Sequence, residues 1–224
     1  MRMISKGVEP TSLTTWKQKN PHGNYNQLPD NIRRDIRDQA LKEQFYLCAY
    51  CCQRIVDIDA CHNEHLEAQS LNYLRSLDFA NIVASCNTRN QCGIAHKSQP
   101  LPLTPLMKEC EIELKFKISG RVEGLTEQAR MMIQVLNLGN HEKNNRSFIQ
   151  KRKQLSDALL WKSGVNPGEE LENEELLELL IAELAEPEQG KLEPFAPVVI
   201  NILKGWLQVH ASNSRVHNNS GAAD

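Results

Sequence analysis

Six of the seven cysteines of this 224-residue chain (Cys48, Cys51, Cys52, Cys61, Cys86 and Cys92) fall between positions 48 and 92, with Cys110 beyond them. Buried thiols that act only as small hydrophobes would be scattered along the chain. Crowding of this kind implies either disulfides or metal. The opening MRMISKGVEP has an early basic residue but no apolar stretch behind it, so it does not read as a secretory signal. No apolar run approaches the roughly 20 residues that span a bilayer. A cytoplasmic location is therefore expected, where thiols stay reduced and clustered cysteines bind metal.

Cys48-Ala-Tyr-Cys51 has the spacing of a zinc knuckle, in which a tight turn aims two thiolates at one ion. Thioredoxin-like redox sites share that spacing, but they need a βαβ context and no second ligand pair. Here Cys86 and Cys92 supply a second pair, with the NTRNQ loop bulging between them. Cys48, Cys51, Cys86 and Cys92 are thus the expected ligands of a structural zinc ion. Cys52 is the alternative to Cys51, and Cys61 and Cys110 are spares.

Hydrophobic residues at 40% and charged residues at 24% fit an ordinary globular protein, and the net charge of −2 conceals an uneven distribution. Residues 141–162 carry Lys143, Arg146, Lys151, Arg152, Lys153 and Lys162 against two acids, the best candidate for a nucleic-acid footprint. Residues 168–193 are rich in glutamate.

Residues 1–28 read as an extended, turn-rich arm, because Pro10, Pro21, Gly23 and several Asn break any period. A helix follows from Pro29-Asp30 to about Phe45, with Asp30 as N-cap and Ile32, Ile36, Ala40 and Leu41 inward. Residues 46–97 hold short irregular pieces, and 98–106 form a proline-rich connection. Ile112, Leu114, Phe116 and Ile118 alternate with charged residues as a strand, turning at Ser119-Gly120-Arg121. Helices are expected from Thr126, over 142–162 (apolar stripe Phe148, Leu155, Leu159), over 170–185, and from Pro197 with Val199, Ile202, Leu203 and Trp206 buried. The polar tail from Ser212 is expected to be unstructured. The domains expected are an arm at 1–28, a catalytic core at 29–106, a hairpin and helical extension at 107–210, and a tail at 211–224.

Between and just after the cysteine pairs lie Glu64-His65, Asn81 and His96-Lys97, in the order of HNH nucleases. Phosphodiester hydrolysis needs an activated water, charge stabilisation at the phosphate and help for the leaving oxygen. A histidine can take the water's proton, a hard cation such as Mg²⁺ can bind a carboxylate and an imidazole, and an asparagine carboxamide can orient the base. Neither Glu64, His65, Asn81 nor His96 carries this reading alone; the four together, interleaved with metal ligands, do.

The N-terminal MRMISKGVEPTSL, ALKEQFYLCAYC, the Glu-His of NEHLEAQS, LDFANIVASC, NQCGIAHKS, VLNLGN and the helix containing Arg152 together resemble the HNH endonucleases of Septu and retron anti-phage systems, the PtuB-like family. The resemblance covers most of residues 1–155. It implies a ββα-metal nuclease core on a mainly α chain with a small α+β core and a helical C-terminal extension. It also implies His65 as general base, Glu64 and His96 as ligands of the catalytic divalent metal, Asn81 as the middle asparagine, and the four cysteines as the zinc site. The implied partners are an ATPase subunit with an ABC-like head (PtuA-like), the retron reverse transcriptase with its RNA–DNA hybrid, and a nucleic acid substrate. The family usually has an aromatic and a proline after Glu-His, where this chain reads EHLEAQS. Its last motif usually ends in Lys-Gly, where this chain has His96-Lys97-Ser98, so His96 and Lys97 both compete for that position and His62 is a further candidate.

The expected function is a metal-dependent endonuclease acting as toxic effector of a defence complex, on DNA or on RNA including tRNA. The 170–185 helix and the helix around Trp206 would dock the ATPase or simply cover the core. Alternatives are a zinc-stabilised nucleic-acid-binding module without catalysis, and a redox protein using Cys48 and Cys51.

Overall fold

The first helix lies where the sequence predicts none. A computed structural model describes the backbone of every residue except 141, 170 and 220–224, and all side chains except these and 142–144 and 210–219. Helix α1 spans Thr11–Lys19 and buries Leu13 completely. Residues 1–28 are therefore not an extended arm. Leu13 and Trp16, one turn apart, join Leu28, Ile32, Ile36, Phe79 and Ile82 in an apolar cluster. That burial outweighs the weak helix preference of a threonine-rich segment. Met1 and Ile4 are also buried, and the Ile4 amide bonds the Pro105 carbonyl at 2.7 Å.

Helix α2, Asp30–Glu43, buries Ile32, Ile36, Ala40 and Leu41 as the period demands. Pro29, not Asp30, holds the cap position, and Asp30 sits in the first turn, where the helix dipole favours an acid. Phe45 and Tyr46 adopt positive φ and reverse the chain after α2. Strand β1, Cys61–His65, then pairs antiparallel with β2, Ile82–Cys86, in the register Cys61↔Cys86 to His65↔Ile82. Helix α3, Cys92–His96, follows. The segment expected to be irregular thus contains a hairpin followed by a short helix.

The second half opens with α4, Glu109–Ile112. Strands β3, Leu114–Phe116, and β4, Val122–Gly124, form a second hairpin. The expected strand is shorter than its alternation suggests. Ile112 ends α4 and is exposed, because its partner register runs out at Leu114↔Gly124. The turn at Gly120 has φ +81°, which glycine alone adopts without strain. Helix α5, Glu127–Val135, is capped by the Thr126 hydroxyl and buries Ala129, Met132 and Ile133, with Leu136 buried just after it. Helix α6, Glu142–Lys162, is broken by non-helical backbone at Asn145. Helix α7, Glu174–Ala185, packs on α8, Ala196–Asn219.

One apolar cluster takes in Leu41, Leu47 and Val83 together with Leu114, Leu136, Leu160 and Leu203. The regions 29–106 and 107–210 therefore share a core. Leu177, Leu180 and Leu184 of α7 and Val199, Ile202, Leu203 and Trp206 of α8 are all buried. That burial removes Trp206 as a free docking anchor; exposed Leu179 and Trp161 lie elsewhere on α7 and α6. The tail assigned to 211–224 continues α8 in its backbone to Asn219, and its last five residues lie outside the described residues. Among the described residues no helix is long and apolar enough to cross a membrane.

Of the basic residues expected to form a footprint over 141–162, Arg146, Lys151, Lys153 and Lys162 are exposed, and the side chain of Lys143 lies outside the described residues. Arg152 is buried, Lys153 pairs with Asp157, Lys162 pairs with Glu193 at 2.5 Å, and Lys151 bonds the Gln53 carbonyl oxygen of its side chain at 3.1 Å. Leu155, expected inward, is instead 37% exposed.

If α1 is part of the packed fold, Leu13→Ala removes a fully buried side chain and costs about 2–5 kcal/mol of stability. Denaturant unfolding checks this: an unpacked arm would leave the midpoint where it is in the unaltered chain.

Candidate functional site

The chain reversal after α2 sends Cys48–Cys52 through a tight turn. The Cys48 amide bonds the Gln53 carbonyl at 2.9 Å, and the Cys52 amide bonds the Cys48 carbonyl at 3.1 Å. Gln44 locks this turn to β2. Its amide nitrogen donates to the Leu47 and Ala84 carbonyls at 2.8 and 2.9 Å, and its oxygen accepts the Ala84 amide at 2.7 Å. Cys86 ends β2 and Cys92 opens α3, with the Cys92 amide held by the Leu136 carbonyl at 2.8 Å.

The result places the sulfurs of Cys48, Cys51, Cys86 and Cys92, all buried, within 4.8 Å of one another. The Cys51 and Cys86 sulfurs are 3.9 Å apart, and the Cys86 amide donates to the Cys48 sulfur at 3.4 Å. Hydrogen bonds from Cys48, Cys51 and Cys92 push the Cys86 thiol far down, whereas burial pushes Cys51 up and contact with Cys48 pushes Cys92 up. Four sulfurs compete for one negative charge, and a dication ends that competition by accepting all of them as thiolates. This buried group is able to hold a metal such as zinc, as the spacing predicts. Among the described residues it is the one such convergence of three or more metal-ligating side chains. Burial raises Cys61 and Cys110 to about 12 and raises Cys52 as well, so these three are inert thiols.

Side chains on β1 alternate between two faces. His62 and Glu64 turn toward α3, and Asn63 and His65 toward the start of α2. Glu64 Oε1 lies 2.5 Å from His96 Nδ1, and Oε2 lies 3.3 Å from His62 Nε2. The Tyr50 hydroxyl donates to Oε1 at 3.3 Å. Each histidine commits its other ring nitrogen: His96 Nε2 donates to the Gln99 carbonyl at 2.6 Å, and His62 Nδ1 donates to Asn87 Oδ1 at 2.9 Å. Burial opposes ionisation of Glu64, but the contacts with His62 and His96 hold its carboxyl below the ordinary carboxylate range. His62, although partly desolvated, is raised by Glu64.

His65 Nε2 donates to the Ser76 carbonyl at 2.9 Å, and its ring meets Tyr25 edge-on at 4.7 Å between centroids. The tautomer is thereby fixed, leaving Nδ1 as the acceptor nitrogen, with Gln69 Nε2 at 3.4 Å. Burial lowers the His65 pKa, so the ring is neutral at neutral pH. An open cleft of about 400 Å³ is lined by Asn26, Asn63, Glu64, His65, Gln69 and Lys97 among others. Two larger hollows lie away from these residues and hold no comparable convergence of chemistry.

Of the residues singled out from the sequence, Glu64 and His96 touch, and Glu64, His65 and Lys97 line the cleft. His96, not Lys97, meets the carboxylate, and His62 takes its other oxygen. The Asn81 side chain does not hydrogen-bond the His65 ring, whose nitrogens face the Ser76 carbonyl and Gln69. It accepts the Glu67 amide at 2.9 Å and donates to the Glu67 and Arg75 carbonyls at 3.0 and 3.4 Å. Its place is therefore to clamp the loop that carries Ser76 against the end of β1, while a backbone carbonyl orients the imidazole. Sequence reasoning also missed Gly93. A Cβ there would lie 2.5 Å from both Glu64 Oε2 and His62 Nε2, so α3 approaches β1 only because this residue has no side chain.

No protein-family model matches the chain, and no curated protein matches it.

Two outcomes follow. Cys86→Ser leaves three thiolates, and bound zinc measured by metal analysis of the purified chain falls well below one ion per chain, with a drop in melting temperature. Gly93→Ala forces α3 and Glu64 apart and lowers the melting temperature, whereas Ala at exposed neighbour Ile94 leaves it nearly unchanged; thermal unfolding of the pair checks this.

Proposed function

We propose that this chain is a metal-dependent HNH-type endonuclease. The observation that carries the reading is the tautomer of His65: its Nε2 is tied to the Ser76 carbonyl, so Nδ1, which meets only the long contact from Gln69, is the nitrogen that can take a proton in a cleft that Glu64 also lines. Support comes from the element order around it, a hairpin with Glu64-His65 at the end of β1 followed by α3 with His96.

Each part has a chemical task. His65 Nδ1 removes a proton from the attacking water, a role suited to a base kept neutral by burial. Glu64 and His96 would hold a hard divalent cation such as Mg²⁺, which supplies charge neutralisation at the phosphate and leaving oxygen. The set fits such an ion: a carboxylate held ionised faces an imidazole nitrogen whose partner nitrogen is committed to a carbonyl, as metal-binding histidines usually are. His62 and Tyr50 hold the carboxylate in place, and the four cysteines with their zinc anchor both β2 and α3.

From the resemblance to the Septu and retron nucleases, the same proposal extends to a toxic effector of an anti-phage complex, working with an ABC-like ATPase and, in a retron setting, with the reverse transcriptase and its RNA–DNA hybrid. Of the residues that line the cleft, Lys97 is the lysine and none is an arginine, which fits a subunit that relies on a partner to hold nucleic acid. A second reading, a zinc-stabilised binding module without catalysis, is favoured by one observation: Glu64, His62 and His96 satisfy one another, as a purely structural network would.

The deciding experiment incubates the chain, alone and with its ATPase partner, with plasmid, tRNA and rRNA in Mg²⁺ and in EDTA. Cleavage in Mg²⁺ is expected, with His65→Ala losing about 10²–10⁴-fold in rate while keeping its fold and zinc. A binding module keeps full nucleic-acid affinity in His65→Ala and cuts nothing. Absence of cleavage of every polymer with Mg²⁺ and partner present ends the enzyme reading.

A further inference from the structure

Arg152 of α6 is completely buried. A guanidinium stays charged in any protein environment and buried charge demands a counter-charge. Among the described residues no carboxylate pairs with it. Its Nε donates to the Gly120 carbonyl at 2.6 Å, Nη1 to Leu138 at 3.0 Å and Nη2 to Gly139 at 3.3 Å. Its carbon lies 4.8 and 5.2 Å from the ring centroids of Phe148 and Phe116. Carbonyls and ring faces offer partial charge only, and three bonds leave part of the guanidinium fork unused.

Burial pushes the Arg152 guanidinium down to about 10, and the groups that oppose this are cysteines rather than carboxylates. These are Cys51, Cys52 and Cys92, which would carry negative charge only as ligands of a metal. Two of them are ligands in the four-cysteine group. A zinc ion held by four thiolates keeps a net double negative charge, in a place where Cys48, Cys51, Cys86 and Cys92 are all buried. The connection is also mechanical. Arg152 grips the turn at Leu138 and Gly139, and the same turn offers the Leu136 carbonyl to the Cys92 amide. The Asn137 side chain adds a bond to the Asn90 carbonyl at 2.7 Å, just before Cys92.

We infer that Arg152 is the counter-ion of the metal–thiolate centre and positions its fourth ligand, Cys92, so that α6 belongs to the metal site although it supplies no ligand. This goes beyond the nuclease reading and does not depend on it. Partners outside the first coordination shell commonly alter metal affinity by about 10- to 100-fold.

The test uses the full chain purified with zinc, with Arg152→Met, Arg152→Lys and the surface control Lys153→Met. Zinc affinity is read by competition with a chromogenic chelator, and ligand protection by the rate at which a disulfide reagent releases zinc. Arg152→Met is expected to bind zinc about 10- to 100-fold more weakly and release it faster. Arg152→Lys keeps the charge and stays much closer to the unaltered chain, and Lys153→Met matches it. A folded Arg152→Met chain with unchanged affinity and release rate overturns the inference, as does Arg152→Lys losing as much as Arg152→Met. Should Arg152→Met not fold, Cys92→His decides: it removes one negative charge from the centre, so Arg152→Met combined with Cys92→His recovers soluble, zinc-containing protein. Failure of that recovery also overturns the counter-ion role.

Discussion

Four sulfur atoms within 4.8 Å of one another repel as thiolates and bind a dication as ligands, and the geometry of this chain depends on that choice. Cys48 and Cys51 sit on the turn after α2, Cys86 ends β2, and Cys92 begins α3. A metal at their centre would tie together three segments that Gln44, the Ala49 amide and the Ser85 hydroxyl already link by hydrogen bonds. Neither hairpin has more than two strands, and an isolated two-stranded hairpin is barely stable in water. The β1–β2 pair holds because the cysteine group closes one end and the α1–α2 cluster covers the other.

This arrangement gives the candidate hydrolytic residues their precision. Glu64 and His65 are neighbours on β1, so the pleat sends them to opposite faces, and each face has its own rigid neighbour. On one side α3, anchored at Cys92, brings His96 to the carboxylate. On the other, α2 and the turn before it bring Tyr25 to the imidazole and the Asn63 amide to the Arg33 carbonyl. A side-chain constellation held this way loses little entropy on binding a ligand, because packing has already restricted its rotamers.

Much of this was legible in the chain itself. The cysteine pairs give the metal group, and the 3.6-residue period gives α2, α5 and the buried face of α8. Glu64 meets His96, and Glu64 and His65 line one cleft. Four things were not legible, each for a physical reason. Helix α1 owes its existence to contacts with residues further along the chain, which its own weak propensity does not announce. Asn81 is the expected residue type, but it bonds a loop backbone instead of the imidazole, and sequence does not show where an amide points. Gly93 matters through an absent side chain. Arg152 sits in a basic run that reads as a solvated face, and only the packed structure turns it inward.

The bond from His65 to the Ser76 carbonyl has a consequence for how this protein varies. A main-chain oxygen is present whatever residue occupies position 76, so the group that sets the imidazole's tautomer is invisible to substitution scans and to any comparison of side chains. What such scans register instead is the scaffolding that keeps the oxygen in place: Asn81 and the Arg75 guanidinium, which spans Glu67 at 3.0 Å and Asp78 at 2.8 Å. Sensitivity is thereby displaced from the atom that acts to residues several positions away. A map of tolerated mutations around this cleft would outline the loop's braces and leave a blank at the point of contact itself.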